Sequence, residues 1–346
     1  MVFMELTPRE RDILRATVKI FILTGEPVPS SMIAKIKRYH LSPASVRNVM
    51  ARLEEYGYLL RPHPSSGRVP TDLGYRFFVN AIDQKEGFPQ WEAAGISEEL
   101  EKIGNNFQEL FIETSRILSR MSNNIGIVLT PNLSGTIFEH IEFIRLAARK
   151  IMVLFVARSG LLHNKVVDVN EDFSQDELDR IGTYLVRRME GKTLIEVRDE
   201  IIRMMREDRE ACDSIFRNAV LLAQRYFECC EESQDLIVDG ASNLFDKPEF
   251  ADLEKMKELF RAFEEKSRIV KLLNECVEEM GVKILIGSEN VYPEMNDCCL
   301  IASTYGIKGQ SLGVLGIIGP KRIEYPRVIS LVRYLSRLLN RIVLNK

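Results

Sequence analysis

The chain has 346 residues, 45% of them hydrophobic and 28% charged, with a formal net charge of −3. That length exceeds one ordinary core and calls for two or three domains of globular composition. No run approaches the roughly 20 apolar residues of a helical membrane span, and a near-neutral total excludes a uniformly basic nucleic-acid protein.

The charge is unevenly placed. Residues 1–80 hold 12 Lys/Arg against 7 Asp/Glu, and the remainder holds 35 against 43. A basic head on an acidic body is expected where one domain meets phosphates and the others do not. The opening MVFMELTPRERD has no basic segment followed by an apolar one, so a cytoplasmic chain without a signal peptide is expected. The cysteines (Cys212, Cys229, Cys230, Cys276, Cys298, Cys299) form no CxxC, and no histidine (His40, His63, His140, His163) lies near one. No metal site and no cofactor is expected, and the thiols read as buried or inert.

Thr7, Pro8 and Glu10 predict a capped helix whose inner stripe is Ile13, Leu14, Thr17, Val18, Phe21 and Ile22. Thr24, Gly25, Glu26 and Pro27 end it. A second short helix, opened by Ser30 or Ser31, is expected to bury Met32, Ile33 and Ile36 and to turn Lys35, Lys37 and Arg38 outward. After a turn at Tyr39, His40 and Leu41, Ser42 and Pro43 open a third helix with Val46, Val49, Met50, Leu53 and Tyr56 inside.

The opposite face of that helix carries Ala44, Ser45, Arg47, Asn48, Ala51 and Arg52. Arg can bridge guanine O6 and N7, and Asn adenine N6 and N7, each worth about 1–3 kcal/mol of base discrimination. A hairpin follows: a strand over 58–61, a tip from His63 to Arg68, then Val69 and Pro70. Gly67 is expected to give the tip backbone freedom, and the tip hydroxyls, with Arg61 or Arg68, to reach phosphates or a minor groove. The shape is a winged helix-turn-helix over 1–81. Its expected DNA-binding residues are Ser45, Arg47, Asn48, Arg52, His63, Ser65, Ser66 and Arg68.

Residues 82–96, polar with Gly, Pro and the single Trp, read as a linker. From Ile96 one long helix is predicted, with Leu100, Ile103, Phe107, Leu110, Ile117 and Met121 on a stripe. Strands are predicted over 125–130, 137–146, 150–158 and 165–169, a helical stretch over 174–232, and a strand over 235–239. Helices over 249–263 and 266–280, strands over 283–286, 300–305 and 311–318, and a helix over 326–343 complete the pattern. Strands, a helical interruption and more strands suggest one α+β domain with another inserted in it.

Several fragments read as structural. Gly313, Gly316 and Gly319 lie in an apolar strand without a GxxxxGK[ST], which points to tight packing. The run from Asp239 to Asn243 reads as a turn, and Arg333, Arg337 and Arg341 as a solvated stripe. Glu289 and Glu294 lack a catalytic partner. No Ser-His-Asp, HExxH or paired-carboxylate pattern occurs, so no enzyme is expected.

The string RNVMARLEEYGYLLRPHPSSGRVPTDLGYRFFV resembles the signature of HrcA, a family of heat-inducible transcriptional repressors. The resemblance is carried by Arg47, Asn48, Leu53, Glu54, Gly57, Tyr58, Pro62, His63, Ser65, Gly67, Arg68, Pro70, Thr71, Asp72, Gly74, Tyr75 and Arg76. Val49 stands where the family often has an acidic residue, Ser66 where Ala is usual, and Leu73 where Lys is usual. Body segments match too: Asp239 to Asn243, Pro248 to Phe250, Gly287 with Glu289 and Asn290, Ser303 to Tyr305, and Leu315 to Pro326.

The resemblance implies a multidomain α+β fold. The winged helix-turn-helix (1–81) and linker (82–96) would precede a GAF-like α+β domain in two parts (97–146 and 263–346), interrupted by an inserted α+β dimerizing domain (147–262). It further implies a homodimer that binds double-stranded DNA at the CIRCE inverted repeat upstream of chaperone operons and is released by heat. The GroE chaperonin is implied as a partner. A second reading is a regulator that senses a small ligand through its GAF-like domain, although no chromophore Cys, metal cluster or phosphate loop marks one.

Overall fold

Thr7 starts the first helix by reciprocal hydrogen bonds, its hydroxyl accepting from the Glu10 N–H (3.3 Å) and its own N–H donating to the Glu10 carboxylate (2.8 Å). Helix α1 (Pro8–Thr24) then runs to Gly25, whose φ of 73° ends it in the left-handed conformation. This computed structural model describes residues 6–36, 41–82, 87–104, 106–131, 137–158, 162–169, 171–193, 235–274, 281–307 and 310–344, with isolated positions between 196 and 223. The expected turn residues Tyr39 and His40, with Lys37 and Arg38, lie outside the described residues.

Helix α2 (Ser30–Ala34) is a single turn and buries Ile33 alone. One turn has room for one inward position, and Met32, expected inside, is 41% exposed. Helix α3 (Pro43–Glu55) opens where the Ser42 hydroxyl accepts from the Ser45 N–H, and it buries Val46, Met50 and Leu53. Burying side chains of this size stabilises the head by about 1.5–3 kcal/mol each. Strand β1 (Leu59–Leu60) pairs antiparallel with β2 (Val69–Pro70), and Val28, outside both strands, forms an isolated antiparallel bridge with Arg68. Helix α4 (Asp72–Asn80) follows, capped by Thr71.

The expected linker is partly helical, because α5 (Gln90–Glu101) begins inside it and buries Glu92, Ile96 and Leu100. The single helix expected from Ile96 is two helices. Gly104 takes a φ of 68°, and the Asn106 side chain then accepts from the Glu109 N–H to open α6 (Phe107–Ser122). The apolar stripe crosses the break, with Leu100, Phe107, Leu110 and Ile117 all buried.

Strand β3 (Ile125–Leu129) enters the main sheet, and the chain then leaves it. Strands β4 (Phe138–Ala147), β5 (Lys150–Ala157) and β6 (Leu162–Asp168) form a separate antiparallel sheet in that order. Helix α7 (Gln175–Met189) covers one face of it, burying Leu178, Ile181 and Leu185 over Ile141, Phe143, Val153 and Phe155. The chain returns as β7 (Leu236–Asp239), followed by α8 (Leu253–Glu264), α9 (Lys266–Asn274), β8 (Val282–Ile286), β9 (Cys298–Ile307), β10 (Gln310–Pro320) and α10 (Tyr325–Leu344).

The main sheet has the order β7-β3-β10-β9-β8, with every neighbouring pair antiparallel. Alternation along its strands divides two cores. Val128, Ile301, Leu315 and Ile317 face α6 and α10, whereas Ile127, Leu129, Leu300 and Val314 face α8 and α9. The glycines of β10 are packing positions, as expected. The Tyr305 hydroxyl donates to the Leu129 carbonyl (2.8 Å) across the space a Gly313 side chain would fill.

This topology shifts the expected limits of the insertion. β4 pairs with β5 and not with β3, so the excursion begins by about residue 131 rather than 147. β7 and α8 lie on the main sheet, so it ends by about 234 rather than 262. Strand periodicity is identical in either sheet and does not report which one a strand joins. The helical stretch expected beyond α7 falls largely outside the described residues.

Candidate nucleic-acid interface

The face of α3 opposite Val46, Met50 and Leu53 is where base readers were expected. Arg47 and Asn48 are both exposed and make no hydrogen bond or ion pair among the described residues. Pro43 and the Ser42 cap hold the N-terminal turn, so these two side chains project from a fixed backbone. Ser45 is less free, since its hydroxyl shares a hydrogen bond with Ser42 (3.1 Å).

Arg52 is exposed yet engaged. Its Nη2 lies 3.1 Å from the Glu10 carboxylate and donates to the Tyr56 hydroxyl (3.1 Å). Burial raises the Glu10 carboxyl, but hydrogen bonds from Thr7 and the charge of Arg52 outweigh it and leave the group below the ordinary carboxylate range. The start of α1 thus anchors the last turn of the exposed helix.

At the hairpin tip, His63 and Ser65 are exposed and their side chains are unpaired among the described residues. Ser66 is not free. Its hydroxyl accepts from the His63 N–H (3.0 Å) and donates to the His63 carbonyl (2.8 Å), which closes the tip on itself. Arg68 is placed differently from expectation. It is 5% exposed and donates to Glu54 through Nε (3.2 Å) and Nη2 (3.0 Å). Its guanidinium therefore braces the hairpin against α3 instead of facing solvent. Arg61, exposed and bonded to the Pro64 carbonyl (3.3 Å), is the cation left at the hairpin surface.

Gly67 also has a different cause. Its backbone needs no positive φ. A Cβ there would overlap the backbone of Val28, whose N–H and carbonyl bond to Arg68 at 2.9 and 3.0 Å. Close approach of two strands requires this glycine.

The eight expected residues thus divide. Arg47, Asn48, His63 and Ser65 stand free, Ser45 and Arg52 are exposed or partly exposed but bonded, and Ser66 and Arg68 are internal struts. The pairings of Glu10 with Arg52 and of Glu54 with Arg68 are not visible in the sequence, where Glu10 reads only as the cap of the first helix. Among the described residues no group of His, Cys, Asp and Glu could hold a metal ion, and no helix is long and apolar enough to cross a membrane.

A head that leaves Arg47 and Asn48 free on one helix face among the described residues while bracing the hairpin beside it, carried on a larger α+β body, has the build of a transcription regulator. A family model described as the HrcA protein C terminal domain matches residues 108–329. The chain is 40% identical over 340 residues to a heat-inducible transcription repressor HrcA of Syntrophobacter fumaroxidans, covering 98% of each. It is 40% identical over 339 residues to the repressor of that name from Geobacter sulfurreducens, again covering 98% of each. With the one from Xylella fastidiosa the identity is 35% over 334 residues, 96% of this chain and 95% of that one. The chain belongs to the HrcA family. A crystal structure described as a hypothetical protein shares the fold, with a TM-score of 0.61 at 19% identity over 98% of both chains.

Proposed function

We propose that the chain is a dimeric repressor of chaperone operons that binds the CIRCE inverted repeat and is released by heat stress. The observation that carries this reading is the unpaired Arg47 and Asn48 on α3, beside a hairpin tied to the same helix. The two residues supply the donors and acceptors that read guanine and adenine edges. Arg61, His63 and Ser65 supply backbone contacts from the hairpin.

Pairing of subunits is supported by the second sheet. Its face away from α7 places Ile144 opposite Met152 and Met152 opposite Val166, with Leu154 and Val156 further along β5. These side chains are half-buried or exposed, Val166 being 50% exposed, and they leave apolar surface that self-association would cover. A two-fold dimer calls for an inverted-repeat site. By the family resemblance, GroE would maintain the DNA-binding form.

Footprinting on the promoter of the chaperone operon from the same genome tests the reading. Two symmetric protected half-sites, lost on mild heating and retained longer with GroE present, are expected. Protection of one asymmetric segment, or of unrelated DNA equally well, overturns it.

A further inference from the structure

The head meets the body along a belt of ionic contacts separate from the DNA-reading surface. Asp72, the first residue of α4, accepts from Lys321 Nζ (2.8 Å) and from the Ser288 N–H (2.9 Å). Arg76, one turn later, donates through Nε and Nη2 to Glu289 and through Nη2 to the Ile284 carbonyl (2.6 Å). From the turn before α10, Arg322 donates to the Ile22 carbonyl near the end of α1 (3.2 Å) and pairs with Glu249. Between these contacts the Tyr75 and Tyr325 rings lie 6.0 Å apart.

The belt is sterically matched as well as charged. Gly287 has a φ of 53°, and the Asp72 carboxylate occupies the place its Cβ would take. The side chains of Asp72, Arg76, Glu289 and Lys321 are 21–32% exposed, so their pairs are shielded from salt more than surface pairs are. Two attachment points on α4 and a third on α1 hold the head to the body at three places. Together they resist both swing and twist of the head, where a single linker would permit both. None of these bonds involves Arg47 or Asn48.

We propose that Asp72, Arg76, Glu289 and Lys321 form a clamp that sets the angle of the head on the body, and through it the spacing and phase of the two base-reading helices in a dimer. The clamp rests on the dimeric-operator reading above. An inverted repeat is selected by its centre-to-centre spacing, one helical turn of about 34–36 Å or a multiple of it. A fixed head selects one spacing. A loose head accepts several and binds each more weakly, because its second contact is less pre-placed. The four residues are positioning residues and touch no base.

The test uses full-length chain carrying Glu289→Gln, Lys321→Gln, or both. These body-side changes leave every head residue intact. Affinity is measured for three duplexes from the chaperone-operon promoter of the same genome: a single half-site, the natural inverted repeat, and a repeat lengthened by roughly half a helical turn. The unaltered chain should prefer the natural repeat to the lengthened one by about tenfold or more, and the double variant by less than about threefold. Half-site affinity should be the same in both.

A double variant that keeps the original spacing preference overturns the clamp. So does a parallel fall on half-site and repeat, which would place the damage inside the head. An unaltered chain that binds repeat and half-site alike instead overturns the dimeric-operator reading.

Discussion

Arg68 and Glu54 join the hairpin to the exposed helix through two hydrogen bonds, 3.2 and 3.0 Å, that converge on one carboxylate oxygen. The pair makes the hairpin and α3 move together, so the tip inherits its position from the helix rather than from its own two short strands.

Arg68→Ala should therefore act on folding. Removing the guanidinium leaves Glu54 without its partner and should destabilise the head by about 1–3 kcal/mol, read as a lower thermal midpoint. The salt dependence of DNA affinity should keep its slope. Arg61→Ala should do the reverse, leaving the midpoint in place and reducing the slope of log affinity against log salt by about 0.9. A reduced slope with unchanged stability for Arg68→Ala would show that its side chain leaves the pair to meet a phosphate.

Replacing Arg47 and Asn48 together by Ala removes two exposed side chains of α3 that pair with nothing among the described residues. Each base contact is worth about 1–3 kcal/mol, so preference for the operator over scrambled duplex should fall by about tenfold at the least, with non-specific affinity changed far less. Competition gel shifts measure both. A double variant that still discriminates would move base reading to another surface.

Asp72 makes the head–body contact sensitive to acid. Burial raises its carboxyl, but the bonds from Lys321 and the Ser288 N–H prevail and hold it below the ordinary Asp range. Because the folded value is lower than the unfolded value of about 3.9, the contribution is complete above that pH and is lost as pH falls through the folded value. The thermal midpoint of the unaltered chain should exceed that of Asp72→Asn by a constant margin from neutral pH to about pH 5, and the margin should close below about pH 4. A margin that persists under acid, or that closes on the alkaline side, contradicts this account.

Cys298 and Cys299 are fully buried in β9, and burial raises both thiols, Cys299 to about 12. Since the thiolate is the reactive form, both should resist alkylation at neutral pH until the chain unfolds. Peptide mapping after a timed exposure to iodoacetamide, with and without denaturant, separates the two states. Rapid native labelling of either residue would mean that β9 opens locally.

Much of this arrangement was legible in the amino acids. The buried face of α3, the two strands of the hairpin and each strand of the main sheet follow from apolar spacing, because burial repeats with the backbone period. What escaped was pairing at a distance. An arginine at a hairpin tip reads as exposed unless the carboxylate fourteen positions earlier is known to reach it. Asp72 and Lys321 are separated by 249 residues, and no local pattern joins them. The stripe from Ile96 to Met121 stayed in phase across Gly104, so periodicity concealed a break that the glycine itself marked. Where the insertion began was hidden for a similar reason, since β4 folds onto its immediate neighbour.

The two ends of that insertion touch. The Thr130 N–H donates to the Asp235 carbonyl (3.0 Å), and the Asp235 N–H donates to the Thr130 hydroxyl (2.8 Å). Departure and return occur at one rung of the sheet, so the body closes over the gap whatever the intervening hundred or so residues contain. Loop-closure entropy grows only slowly with length. The excursion can thus lengthen, shorten or be exchanged over evolutionary time at little energetic cost to the sheet, and a short hairpin joining Thr130 to Asp235 is a natural place to cut a minimal body.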